Sequence, residues 1–133
     1  MTRMLLACVI GLLCGASALA QDAPPMKLKR YYLVLLYAGP NTAIEPDAAR
    51  RLQEAHMANI GRLAREKSLV LAGPFEAAGD LRGLFVLDAP SLDAARALAA
   101  SDPAVQAGRL RAEVFNWWAP EGVGIVPPAA PAK

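Results

Sequence analysis

The chain has little of what most enzymes use for metal or covalent chemistry. Among its 133 residues are one histidine and two cysteines, and both cysteines, Cys8 and Cys14, fall within the first twenty positions. One histidine and no cysteine in the remainder cannot make a typical zinc site, so no metal is expected. No Gly-rich phosphate loop and no G-x-S-x-G elbow is present. The carboxylates are scattered, which leaves a paired-acid hydrolase unsupported, and no pattern around Ser68, Ser91 or Ser101 marks a nucleophile. Basic and acidic side chains nearly balance, 14 against 12. No basic run interleaves with aromatics, so no nucleic-acid partner is expected.

The first twenty residues have the three parts of a secretory signal peptide. Thr2-Arg3 gives a positive start, Met4 to Leu13 an apolar run, and Ala18-Leu19-Ala20 a small-residue site for cleavage before Gln21. The run is too short to span a bilayer. A lipid-attachment reading of Leu5-Leu6-Ala7-Cys8 leaves almost no apolar stretch ahead of the cysteine. The expectation is a periplasmic or secreted protein, off the membrane after cleavage and with no disulfide in its mature form. Residues 21–29 read as an exposed leader, and Lys27, Lys29 and Arg30, where it joins the domain, as a solubilising cluster. Residues 120–133, rich in proline, glycine and alanine, read as a loose tail.

One domain is expected over 30–119. "RYYLVLLYAG" (Arg30 to Gly39) is strand-like and ends in a Gly-Pro-Asn turn. From Pro46 to Lys67 the apolar residues follow a helical period, with Pro46 suited to the first turn. Ser68 to Phe75 and Leu81 to Asp88 are two further strands. Ser91 can cap a helix running to about Ala100, Asp102-Pro103 starts a short turn ended by Gly108, and Leu110 to Trp118 is the last strand. The order β-α-β-β-α-β predicts an α+β, ferredoxin-like fold.

The first and third strands are apolar on both sides, whereas a half-exposed sheet alternates with polar residues. Two helices cover only one face of a four-stranded sheet. A second copy of the chain is the economical cover for the other face, so a homodimer paired through that face is expected. Trp117 and Trp118 point to opposite faces, one ring available to each core, unless one merely stands exposed at the strand end.

His56 shares a helix face with Leu52, Ile60 and Leu63 and so points toward the sheet. Taken alone it reads as a half-buried imidazole held by one hydrogen bond, and Asp102 before Pro103 reads as a helix cap. Their heights suggest more. With both helices taken as running the same way, His56 lies ~15 Å beyond Pro46 and Asp102 ~16 Å beyond Ser91. A carboxylate beside an imidazole fixes its tautomer and raises its basicity, which makes a proton-transfer dyad. Gly73-Pro74 ends a strand near this level, where a missing side chain admits backbone or ligand. Phe75 is a candidate stacking platform as well as a core residue. Arg82 is a candidate anion contact as well as a solvated arginine.

"HMANIGRLAREKSLVLAGPF" and "GDLRGLFVLDAPSLDAARALAASDPAVQAGRLRAEVFNWW" resemble the YCII-related (YciI-like) family over nearly all of Arg30 to Trp118. The resemblance implies a dimeric α+β barrel related in architecture to muconolactone isomerase. It also implies a pocket lined by a histidine and an aspartate proposed as catalytic, here His56 and Asp102. The family usually carries glycine between the first helix and second strand, where this chain has Lys67-Ser68, and the signal peptide departs from cytosolic members. The expectation is a cofactor-independent isomerase or lyase acting on a small, cyclic or aromatic, acidic molecule. Its rival is a ligand-binding or dimerisation module. Haem binding, as in other α+β barrels, would rest on His56 as sole axial ligand.

Overall fold

A computed structural model describes residues 25–76 and 78–124. The expected signal peptide, both cysteines and most of the proposed tail lie outside these residues. The elements are β1 (Leu28–Ala38), α1 (Pro46–Arg65), β2 (Leu69–Pro74), β3 (Leu81–Leu87), α2 (Leu92–Ala100), α3 (Pro103–Gln106) and β4 (Leu110–Pro120). Each forms where local chemistry favours it. Aromatic and β-branched side chains fill β1. Pro46 sits in the first turn of α1, and Ser91 caps α2 by accepting from the Ala94 N–H at 3.1 Å.

The sheet order is β2-β3-β1-β4, and every neighbouring pair is antiparallel. This is the ferredoxin-like α+β fold. On the helix side Tyr32, Val34 and Leu36 of β1 pack with Phe85 and Leu87 of β3 against Leu63 of α1 and Ala95 and Ala99 of α2. The two alanines let α2 approach the sheet closely.

One premise of the height argument needs correction. Because β1 and β3 are antiparallel, α1 and α2, which follow them, run in opposite directions. Residues 56 and 102 still meet for a different reason. Descending ~15 Å along α1 and ascending ~16 Å from the start of α2 together match the ~30 Å length of the 20-residue α1.

The opposite sheet face has its own smaller cluster. Tyr31, Val86 and Ala119 are buried there, flanked by Leu33, Leu84 and Trp117. Residues just after β4 fold onto it: the Gly122 N–H donates to the Tyr31 hydroxyl at 3.0 Å, and Val123 packs on the cluster. Of the two tryptophans only Trp117 enters a core. Trp118 is exposed, because β4 runs past the helix layer and past the end of β3, and its ring lies against the Arg30 guanidinium. The basic cluster is likewise more than a solubilising linker. Lys29 pairs with Ala119 within the sheet and reaches Asp88 at 2.6 Å, while Lys27 meets Glu121 at 2.7 Å. The Asp88 carboxylate bonded to Lys29, acting against desolvation, holds that ammonium above its usual range.

Candidate functional site

The buried stripe of α1 contains His56, Asn59 and Leu63, one above the next at steps of three and four. Leu63 anchors the stripe in the core, and the two polar residues stand nearer the middle of the helix. Asp102 enters from the α2–α3 junction. Its extended backbone (φ −68°, ψ 128°) makes it the N-cap of α3, and its Oδ1 accepts from the Ala104 N–H at 2.9 Å. Capping aims the carboxylate inward, where it has no solvent exposure.

The Nδ1–H of His56 donates to both Asp102 oxygens at 2.9 Å, and the Asn59 amide donates to Oδ2 at 3.0 Å. Burial is the largest influence on Asp102 and favours its neutral form. The hydrogen bonds from His56 and Asn59, the charge of His56 and the Ala104 N–H together outweigh it, so the carboxyl is held below its ordinary range. An ionised carboxylate only accepts, so the proton between the two residues sits on Nδ1. A neutral His56 then presents Nε2 as a bare lone pair. Among the described residues no protein group bonds to Nε2 and no buried side-chain nitrogen lacks a partner, and the His56 side chain keeps 11 % exposure. Nε2 is therefore accessible.

It opens onto a cavity of about 720 Å³ between α1 and the sheet, within the usual size for a small-molecule site. His56, Gly73, Pro74 and Arg82 all line it. Phe75 does not: β2 ends at Pro74, and Phe75 turns outward, 39 % exposed. Phe85 stands in the cavity instead, its ring 5.9 Å from the imidazole and 23° from parallel. Sequence reasoning treated Phe85 only as strand, although its place on the helix-facing side follows from its register with Val34.

Two other residues were missed. Asn59 was passed over, yet it lies three positions from His56 on the same face. Its own carbonyl accepts from Arg62 at 2.8 Å, and Arg62 in turn donates to Glu66 at 2.8 Å, a chain that fixes which way the Asn59 amide points. Arg109 also lines the cavity, and only tertiary structure brings it there. Among the described residues no group of three or more His, Cys, Asp or Glu is placed to hold a metal ion.

The YCII-related domain model matches residues 30–118. The chain belongs to the YCII-related family. No curated protein matches it significantly in sequence. Among solved structures, this YCII-related protein is similar to 5-chloro-2-hydroxyhydroquinone dehydrochlorinase from Burkholderia phenoliruptrix AC1100, determined in complex with 2,5-dihydroxybenzoquinone. Identity is 22 %, coverage 65 % of this chain and 92 % of that one, and the TM-score 0.51. It is also similar to muconolactone isomerase, at 18 % identity, 77 % and 96 % coverage and a TM-score of 0.53. At such identities the likeness establishes the fold.

Proposed function

We propose that this YCII-related protein is an isomerase or lyase that moves a proton on a small, cyclic or aromatic, acidic molecule without a cofactor. The observation that carries this reading is the asymmetry of His56. One ring nitrogen is tied to a buried carboxylate, and the other is accessible at a cavity of substrate size. Nε2 takes a proton from the substrate. Asp102 keeps the ring in the tautomer that allows this and stabilises the imidazolium that results. An isomerase then returns the proton to another atom of the same molecule, whereas in a lyase the freed electron pair expels a leaving group. That an isomerase and a dehydrochlorinase share the fold supports this class of chemistry.

The protein is further proposed to be exported and to work as a homodimer closed over the open sheet face. The support is the leader pattern of the first twenty residues and the apolar character of that face.

The test is a turnover screen over unsaturated lactones, hydroxyquinones and cyclic acids with wild type and His56→Ala. The expected loss is about 100-fold or more, with the oligomeric state unchanged. An unchanged rate rejects the base role. If no compound turns over and His56→Ala costs only stability, the residues are a buried hydrogen bond and a cap in a binding module. The full satisfaction of Asp102 is the observation that favours this second reading.

A further inference from the structure

We propose that the cavity receives a flat ring carrying one negative charge, and that Arg109 is the residue that fixes the anion. The proposal rests on the site reading above and names the substrate class for it. No Asp or Glu lines the cavity, while two arginines, Arg82 and Arg109, do. Among the described residues neither is within ion-pair distance of a carboxylate, whereas Arg50, Arg62, Arg96 and Arg111 each have one. Arg30, Arg51 and Arg65 also lack such a partner, but none of the three lines this cavity. A cavity whose other polar lining is Thr42, Gln53 and His56, with two uncompensated guanidinium groups and no acid, favours an anion.

Arg109 is the better held of the two. Its backbone carbonyl accepts from the Gly39 N–H at 2.9 Å and its N–H donates to the Ala104 carbonyl at 2.9 Å. Gly39 permits this seat, because a Cβ there would run into the Gly108 carbonyl. One guanidinium nitrogen, Nη1, donates to the Thr42 carbonyl at 3.3 Å, which orients the fork and leaves most of its N–H groups for a ligand. Arg82 stands at the irregularity opposite Leu36 and Tyr37 with no side-chain hydrogen bond among the described residues; both arginines are exposed, and the bond to Thr42 is what distinguishes Arg109. The flat shape follows from the lining. The Phe85 and His56 rings, 23° from parallel, form one aromatic surface, and Gly73, next to Phe85's strand partner Ala72, lines the cavity with backbone alone. A group at Arg109 also faces the charge that grows on a ring as His56 withdraws a proton.

The experiment compares benzoate with benzamide, a neutral molecule of nearly the same shape. Binding to the protein is measured by calorimetry and by the shift of the His56 ring resonances. Benzoate is expected to bind at least tenfold tighter. Arg109→Gln is expected to erase that preference, Arg109→Lys to keep part of it because a point charge replaces the fork, and Arg82→Gln to keep most of it. Equal affinities, a preference that survives Arg109→Gln, or failure of both molecules to bind overturns the proposal. His56→Ala separates the two readings. Retained benzoate preference with unchanged turnover rejects the base and leaves the anion site standing, whereas lost preference in Arg109→Gln does not depend on catalysis.

Discussion

The His56 Nδ1 and the Asp102 carboxylate lie 46 positions apart in the chain and 2.9 Å apart in space. With the donors from Asn59 and Ala104, that carboxylate is ionised and fully enclosed. Its pKa is lowered on folding, so its ionised form contributes stability above the unfolded carboxylate value of about 3.9. That contribution fades as pH falls through the lowered folded value. Urea denaturation of wild type and Asp102→Asn between pH 5 and pH 3 is expected to show the gap narrowing as pH falls. A constant gap means that the carboxylate is not ionised in the folded protein.

Most of the fold was legible because each element carries its own local signal: Pro46 and Ser91 start helices, and the strands are bounded by Gly39 and Gly108. The dyad was legible through helix geometry and family resemblance, although the helices run opposite to the sense assumed. What was not legible depends on packing across the chain. Nothing local to Arg109 says that it turns toward α1, and nothing in "GPF" says that the aromatic ring points away from the cavity while Phe85, ten residues later, points in. Trp118 misled for the same reason: alternation gives the face, but only the ends of β3 and the helices decide whether anything covers it.

Dimerisation through the open face predicts a clear effect at Phe115. Its ring lies on that face and is 44 % exposed in the single chain, so replacing it leaves no hole within one copy. In a two-fold pairing each copy contributes the same surface, and Phe115→Glu places like charges in an apolar interface. The variant is expected to fold with normal helix content and to scatter light as a monomer. A dimeric Phe115→Glu places the interface elsewhere, and a monomeric wild type removes it.

Two glycines of the cavity floor should respond oppositely to the same methyl group. At Gly73 the backbone is not left-handed and the added carbon touches nothing; its pairing with Leu84 aims that carbon at the open sheet face, so Gly73→Ala is expected to stabilise by about 0.5–1 kcal/mol and to leave benzoate binding unchanged. At Gly83 the same carbon would stand 2.8 Å from the Gly73 carbonyl oxygen, a strand backbone atom with little freedom to move. Gly83→Ala is expected to cost about 1–3 kcal/mol. Urea midpoints report both. Equal effects at the two positions refute the open space beside Gly73.

The end of α1 gives the last prediction. Lys67 has φ 60°, the left-handed conformation that glycine adopts most easily, so the family's usual residue is missing but its geometry is kept. The turn is closed by the Ser68 N–H to the Leu63 carbonyl and the Lys67 N–H to the Ala64 carbonyl, both at 3.0 Å, the Schellman pattern. These bonds hold a side-chain-bearing residue where its Cβ crowds the backbone, at about 1–2 kcal/mol. Lys67→Gly relieves that strain and loses part of the gain to the greater freedom of the unfolded chain. The net is expected near 0.5–1 kcal/mol of stabilisation, a rise of several degrees in Tm. Lys67→Val, with a branched Cβ in the same turn, should fall below wild type. If the two variants melt alike, the helix does not end in a left-handed residue. The loop that leads from α1 into β2 and on to Gly73 would then differ from the one described.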